Sequence, residues 1–361
     1  MNNNYAVIMA GGIGSRFWPM SKTSYPKQFH DILGVGQTLL QLTFDRLKNI
    51  CPSEQILIVT STAYKDLVKQ QLPEIKDEQI LCEPSRRNTA PCVAYAAYKI
   101  KQLNPEANMV VAPSDHLILK EDAFINTLKS AISLTKEKNC LVTLGIKPNR
   151  PDTGYGYIQF VGFEGAQNPF VKKVKTFTEK PNHELAQQFI ESGDFYWNSG
   201  IFIWSIASII KAFESHLPDI SRLFTEREEK LNTAEEEEFV KSIYAVCPNI
   251  SIDYGIMEKS SDVYVVLSDL GWSDLGTWGS LYGHVKQDEN ENAVIGKNVM
   301  LYESHKNMVK VPENKLVVLQ GLDDYIVVDS GDILLVCRKH DEQKIKQIVN
   351  DVALSKGEKF V

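Results

Sequence analysis

An apolar run only five residues long, "YAVIM" at 5–9, stops at Ala10 and breaks into Gly11, Gly12 and Gly14 of "AGGIGSRFWPMSKTSYPKQF". A run that short and that apolar suits a strand buried on both faces, and such strands belong to sheets with helices on either side. The pattern then repeats. "QILIVT" (55–60), "QILC" (79–82), "NMVVA" (108–112) and "CLVTLGI" (140–146) read as further buried strands. Between them "TLLQLTFDRLKNI", "AYKDLVKQQL", "TAPCVAYAAYKIKQL" and "DAFINTLKSAISLTKE" place apolar residues three and four apart, the spacing of helices that cover a sheet. This alternation predicts an α/β fold with a Rossmann-like, doubly wound sheet, mostly parallel at its start. Ligands of such sheets sit at the carboxyl ends of the strands, where the glycine loop lies.

After Gly145 the pattern loosens into turns ("KPNRPDTGYGY"), hairpin-like strands ("YIQFVG", "VKKVKTFTE") and further helices, one carrying the acidic run "REEKLNTAEEEEF" as a solvated face. The polar stretch "HVKQDENEN" reads as a linker. Beyond it "NAVIG", "NVMLYE", "KLVVLQG" and "YIVVDSGDILLVC" precede an amphipathic helix at about 341–355. The expected division is a domain over 1–285 and a small β-rich domain over 286–361, without a clean repeat. A chain of 361 residues suits two such domains.

Composition removes several classes of function. The net charge is −7 and the 39 Lys and Arg are scattered, so no nucleic-acid partner is expected. No apolar run is long enough for a membrane span and the first residues lack a basic leader, so a cytoplasmic protein is expected. Six widely spaced cysteines without a CxxC pair indicate reduced thiols rather than a disulfide framework or a zinc site.

Glycines directly after a strand let backbone N–H groups approach an anion, and a helix starting there would add its dipole. A dinucleotide loop would want glycine where Phe17 stands and an acid where "QILIVT" ends in Thr60. A Walker A loop would want Gly-Lys-Ser/Thr at a spacing that is absent. The loop carries Arg16 and Lys27 instead, each beside a proline (Pro19, Pro26), a pair of cations suited to a di- or triphosphate. "VVAPSDHLIL" sets Asp115 at a strand's carboxyl edge, where it would hold magnesium or, equally simply, cap a helix or close a turn. Asp274 in "GWSDLGTW" offers a second carboxylate in a rigid aromatic setting. "TGYGYI", "FTEKP", "WNSGIFIW" and "SIDYGIME" mix small and polar residues in apolar context, as a pocket for a polyhydroxylated ligand would.

The ordered segments "GGIGSRFWPMSKTSYPKQF", "EPSRRNTAP", "PSDH", "GYGYI", "FTEKP", "NSGIF", "SIDYGIME" and "WSDLGTW" resemble those of the sugar nucleotidyltransferases, and within them the bacterial mannose-1-phosphate guanylyltransferases. Phe17 and Met20 stand where leucines are usual, Lys22 replaces a common arginine, and Arg86 sits where a small residue is frequent. The resemblance implies that GTP and α-D-mannose 1-phosphate react to give GDP-mannose and pyrophosphate. Some longer relatives fuse this enzyme to a cupin-type isomerase domain; with the sequence ending at Val361 a single activity is expected, and the tail resembles the family's short β-helix-like tail, a candidate homodimer contact.

In that reaction a phosphate dianion attacks the α-phosphorus of a triphosphate. Each like-charge contact at about 4 Å and an effective dielectric of about 20 costs about 4 kcal/mol, so cations matter more than a general base. The resemblance assigns Mg²⁺ to Asp115 and Asp274, the leaving pyrophosphate to Arg16 and Lys27, and the sugar phosphate to Lys180. It assigns the sugar hydroxyls to Glu179 with Gly156, Asn198 and Asp253. The nucleotide falls to Ala10, Gly11, Gly12 and Gly14, with Glu83 and Asn88 near guanine, although Asn88 would equally serve as the N-cap of a helix from Thr89. Two rivals stay open: the same chemistry on another pair, such as glucose 1-phosphate with UTP or dTTP, and a non-catalytic nucleotide-sugar sensor.

Overall fold

The computed structural model describes residues 3–162 and 168–361, which pack as two compact units. The first unit comprises 1–11, 43–114 and 118–272, and the second 12–42, 115–117 and 273–361. The expected boundary at 285/286 is therefore not where packing divides the chain. The glycine loop after Gly11 belongs with the C-terminal residues, because Phe17, Trp18 and Ile32 share one buried cluster with Trp278, Met308, Ile326 and Ile345.

The first unit is built on a nine-stranded sheet. Its strands are β1 (Asn4–Met9), β2 (Ile56–Ser61), β3 (Ile80–Glu83), β4 (Asn108–Pro113), β6 (Leu141–Ile146), β7 (Gly156–Val161), β8 (Val171–Glu179), β9 (Phe195–Ser205) and β10 (Val263–Ser268). Two-residue strands β5 (Leu117–Ile118) and β11 (Trp272–Ser273) complete the numbering up to there. The order is β3-β2-β1-β4-β9-β6-β10-β8-β7, parallel from β3 to β4 and antiparallel where β9 enters. The chain runs outward from β1 through β2 to β3, then returns to place β4 on the other side of β1. Met9 and Pro113 thus end side by side at the switch point, where doubly wound sheets bind ligands.

Both faces are covered, as the short apolar strands require. Tyr5 and Val7 point into a core shared with α3 (Thr89–Leu103), α6 (Ile206–His216), α7 (Pro218–Thr225) and α8 (Glu236–Val246). Ala6 and Ile8 alternate away from it and are equally buried, on the other face of the sheet. α1 (Leu39–Leu47), α2 (Lys65–Gln71), α4 (Glu121–Glu137) and α5 (His183–Ser192) are the other α-helices among the described residues before residue 273. Three sequence expectations change. Ser15–Phe17 forms a single 3₁₀ turn, so no helix dipole follows the glycines. The acidic run breaks into a short turn at Glu228–Lys230 before α8 begins. β10 was not anticipated as a strand. No helix among the described residues is long and apolar enough to cross a membrane.

The second unit holds α9 (Trp278–Tyr282), β12 (Ala293–Ile295), β13 (Val299–Tyr302), β14 (Met308–Lys310), β15 (Val317–Gln320), β16 (Tyr325–Asp329), β17 (Leu334–Arg338) and α10 (Ile345–Lys356). Its short strands stack in parallel as coils of a solenoid: Ala293 pairs with Met308, Met308 with Ile326 and Met300 with Val318. The unequal offsets between coils hide the repeat from the sequence. Asn307, fully buried, ties neighbouring coils together. It donates Nδ2–H to Asn292 Oδ1 (2.9 Å) and Leu322 O (2.9 Å), and its Oδ1 accepts the Tyr325 N–H (2.8 Å). The antiparallel β16–β17 hairpin closes the stack.

Candidate active site

The second unit carries the loop and both candidate metal carboxylates. Gly14 sits at φ +71°, a left-handed conformation that favours glycine, and a Cβ there would lie 2.6 Å from Lys27 Cβ. Glycine at this point lets the Lys27 stem run against the loop backbone. Lys27 is buried, and its ammonium lies 2.8 Å from Asp115 Oδ2 while donating to Asp274 O (2.9 Å) and Leu275 O (3.0 Å). The Phe17 ring lies beneath it, 5.4 Å away. Burial would raise the Asp115 carboxyl, but Lys27 and then His116 outweigh it and hold the group below its ordinary value.

The Ser273–Gly276 turn is strained where it presents Asp274. Leu275 adopts φ +44°, held by complete burial of its side chain and by the Ser273 hydroxyl, which accepts its N–H at 3.1 Å. Asp274 Oδ1 accepts the Gly276 N–H at 2.9 Å. Trp278 explains the rigid setting: its indole donates to Trp18 O (3.1 Å) and its ring lies 4.7 Å from Phe17. The Asp115 carboxylate and the main-chain carbonyls of Asp274 and Leu275 meet at one ammonium, so hard oxygen donors alone converge there. Magnesium commonly takes one or two carboxylates and keeps water, so the set fits magnesium. Among the described residues no group of three or more His, Cys, Asp or Glu converges. Arg16 is half-buried, and no carboxylate among the described residues pairs with it. Gly12 has open space where a Cβ would stand.

The first unit carries two further clusters. Ala10 closes β1, its N–H donating to Val59 O (2.7 Å) and its carbonyl accepting the Thr60 hydroxyl (2.9 Å). Beside it, a Cβ on Gly11 would meet Glu83 Oε2 at 3.3 Å. Glu83 is buried at the end of β3 and accepts the Tyr244 hydroxyl at 2.9 Å. Burial pushes its carboxyl up to about 7, against the opposing pull of Tyr244 and Arg86. Asn88, at φ +67°, uses Oδ1 to accept the Thr89 N–H (2.9 Å) as α3 starts, which is the capping role the sequence left open. Arg86 donates to the Tyr64 hydroxyl at 3.0 Å.

The other cluster gathers every residue expected around the sugar. Gly156 pairs with Glu179 across β7 and β8, and a Cβ there would collide with Glu179 Oε2. Lys180, at φ +48°, pairs with the Glu179 carboxylate and donates its N–H to Tyr155 O (3.2 Å). Asn198 Nδ2 donates to Asp253 Oδ1 (2.8 Å), and Asn198 Oδ1 accepts the Thr143 hydroxyl (2.8 Å). Burial and then the Glu179 charge push the Asp253 carboxyl up to about 6. Tyr155 packs edge-on against Trp197 and Trp272 as a wall.

Sequence reasoning missed Thr143, Tyr244 and Glu258, whose carboxylate accepts the Glu179 N–H at 3.3 Å. Only Glu258 had a local signal, since it ends "SIDYGIME".

These clusters offer donors and acceptors for phosphates, a hard cation and a polyol, and among their described residues no Ser or Cys side chain is hydrogen-bonded to a histidine. Residues 5–291 match the family model for nucleotidyl transferases, and 296–352 match that for the mannose-phosphate isomerase/GMP-like β-helix domain. A mannose-1-phosphate guanylyltransferase from Escherichia coli is 36% identical over 97% of this chain and 75% of its own length. One from Salmonella montevideo is 38% identical over 96% of this chain and 74% of its own. Among solved structures, a Thermus thermophilus protein described as a mannose-1-phosphate geranyltransferase superposes with a TM-score of 0.86. It is 32% identical over 97% of this chain and 99% of its own.

Proposed function

Starting from a chain that belongs to the mannose-1-phosphate guanylyltransferase family of nucleotidyl transferases, we propose that it transfers GMP from GTP to α-D-mannose 1-phosphate, releasing pyrophosphate. The observation that carries this reading is the pairing of two chemistries in one chain. A cluster of Asp115, Asp274 and Lys27 beside a glycine loop suits a triphosphate, and a cluster of Glu179, Lys180, Asn198 and Asp253 suits a sugar phosphate.

The sugar phosphate arrives already ionised, so the chain has to neutralise charge and align reactants rather than remove a proton. Lys180 would bind the sugar phosphate, its ammonium kept protonated because the Glu179 carboxylate more than offsets burial. Glu179, Asn198 and Asp253 would take the hydroxyls. Arg16, with no carboxylate partner among the described residues, would hold the leaving pyrophosphate, and Lys27 adds positive charge from behind Asp115. Ala10, Gly11 and Gly12 would lie along the nucleotide, with Glu83 accepting from the guanine N1–H and amino group. Magnesium on Asp115 and Asp274 would polarise phosphate oxygens.

The test is a matrix of four nucleoside triphosphates against mannose, glucose and N-acetylglucosamine 1-phosphates, read by pyrophosphate release. Activity is expected for GTP with mannose 1-phosphate and a loss of about a hundredfold or more in Asp115→Asn. Turnover confined to another pair would overturn the specificity. No turnover with any pair would leave a nucleotide-sugar sensor.

A further inference from the structure

The turn after β3 carries a cation whose donors are mostly unspent. Arg86 lies three residues beyond Glu83, where a small residue is frequent in the family. A guanidinium has five N–H donors. One of these goes to the Tyr64 hydroxyl at 3.0 Å, and no carboxylate among the described residues pairs with the group. Tyr64 is buried just past the end of β2, so it anchors the guanidinium at the carboxyl edge of the sheet.

Glu83 reaches the same edge. Ser61 of β2 pairs with Glu83 of β3, and the Thr62 hydroxyl donates to Glu83 O at 3.3 Å. The Tyr244 hydroxyl donates to Oε1 of the carboxylate at 2.9 Å, and Oε2 faces Gly11, 3.3 Å from where a Cβ would stand. Burial raises this carboxyl, and Arg86, after Tyr244, is near enough to pull against the rise. An acceptor and a fork of donors therefore stand side by side next to the glycine backbone, with no ion pair between them to use them up.

We propose that Arg86 is a specificity-determining residue for the base: it donates to guanine O6 and N7 while Glu83 accepts from the N1–H and the 2-amino group. The inference rests on reading Glu83 as the guanine carboxylate. Guanine alone among the common bases sets the acceptors N7 and O6 beside the donors N1–H and 2-amino, and a guanidinium fork spans the two acceptors. Adenine would turn its 6-amino group toward the guanidinium, donor against donor. Uracil has no second acceptor in the place of N7.

Calorimetric binding at pH 8 of GDP, of 7-deaza-GDP, which lacks the N7 acceptor, and of IDP, which lacks the 2-amino group, tests this without turnover. The wild type is expected to bind GDP about threefold more tightly than 7-deaza-GDP. Arg86→Ala, at an exposed position, is expected to lose about tenfold in GDP affinity and to bind GDP and 7-deaza-GDP equally. IDP keeps O6 and N7, so its affinity should fall by the same factor as that of GDP. A loss that leaves the preference for GDP over 7-deaza-GDP intact would mark a phosphate contact and overturn the proposal, as would unchanged GDP or IDP affinity. The two levels of the argument separate in the wild type. Binding of ADP or UDP as tight as that of GDP would overturn the guanine reading itself, whereas a preference for GDP that survives Arg86→Ala in full would overturn only the role of Arg86.

Discussion

At the scale of single residues, the site depends on carboxylates held in unequal protonation states. Asp115 is kept ionised by Lys27, whereas Glu83 and Asp253 are raised to about 7 and about 6 by burial. A carboxyl raised on folding binds its proton more tightly in the native state. Its stabilising effect is therefore complete at low pH and is lost as pH rises through the folded value. For Glu83 that window runs from about 4.5 to about 7. Glu83→Gln should remove this part of the pH dependence of melting, leaving the Asp253 slope below about 6. In the proposed role binding takes the opposite sign, because only an ionised Glu83 would accept two donors from guanine. Below pH 7 the affinity of the wild type for GDP should fall by up to about tenfold per unit, and Glu83→Gln should be weak and flat. Calorimetric titration from pH 6 to 8 checks this; a flat wild-type profile would remove Glu83 from base recognition.

At the scale of elements, the cluster of Glu179, Asn198 and Asp253 proposed for the sugar is shaped by an irregularity in β9. Its pairing with β6 shifts between Thr143 and Gly145, and Gly200 takes φ +71° inside the strand. Such bulges re-aim side chains beside active sites. The shift sets Asn198 opposite Gly145 and within reach of the Thr143 hydroxyl, which fixes the amide so that its NH₂ faces Asp253. Thr143→Val keeps the shape and deletes the hydroxyl. Loss of one buried hydrogen bond, about 1 kcal/mol, should raise KM for mannose 1-phosphate about fivefold with KM for GTP unchanged. Equal KM values for both substrates in variant and wild type would show that the amide needs no such support. The helices and strands of the first 150 residues were legible because each buries a regular face, and α3 and β8 span the expected residues. The β9 bulge was not, since a glycine in an apolar run does not reveal which strand lies beside it.

At the scale of the whole molecule, the glycine loop is packed as part of the C-terminal unit. Phe17 and Trp18 share a core with Ile345, and the Trp18 indole donates to Phe360 O at 2.7 Å. Lys22 pairs with Asp332 at 3.0 Å. Ile345→Ala, at a fully buried position, should cost about 2–4 kcal/mol. It should also speed tryptic cleavage after Arg16 or Lys22, although α10 lies at the far end of the sequence. Unchanged protease resistance of the loop would show that α10 does not hold it. The sequence alone determined the doubly wound sheet and the β-rich tail, because strand and helix periodicity are local properties of a chain. Only the tertiary structure decided that Lys27 commits its three donors to Asp115 and the 274–275 turn, that Thr143 orients Asn198, and that the first loop packs with the last helix. Each of these depends on residues distant in sequence, joined by burial and hydrogen bonding that no local pattern encodes.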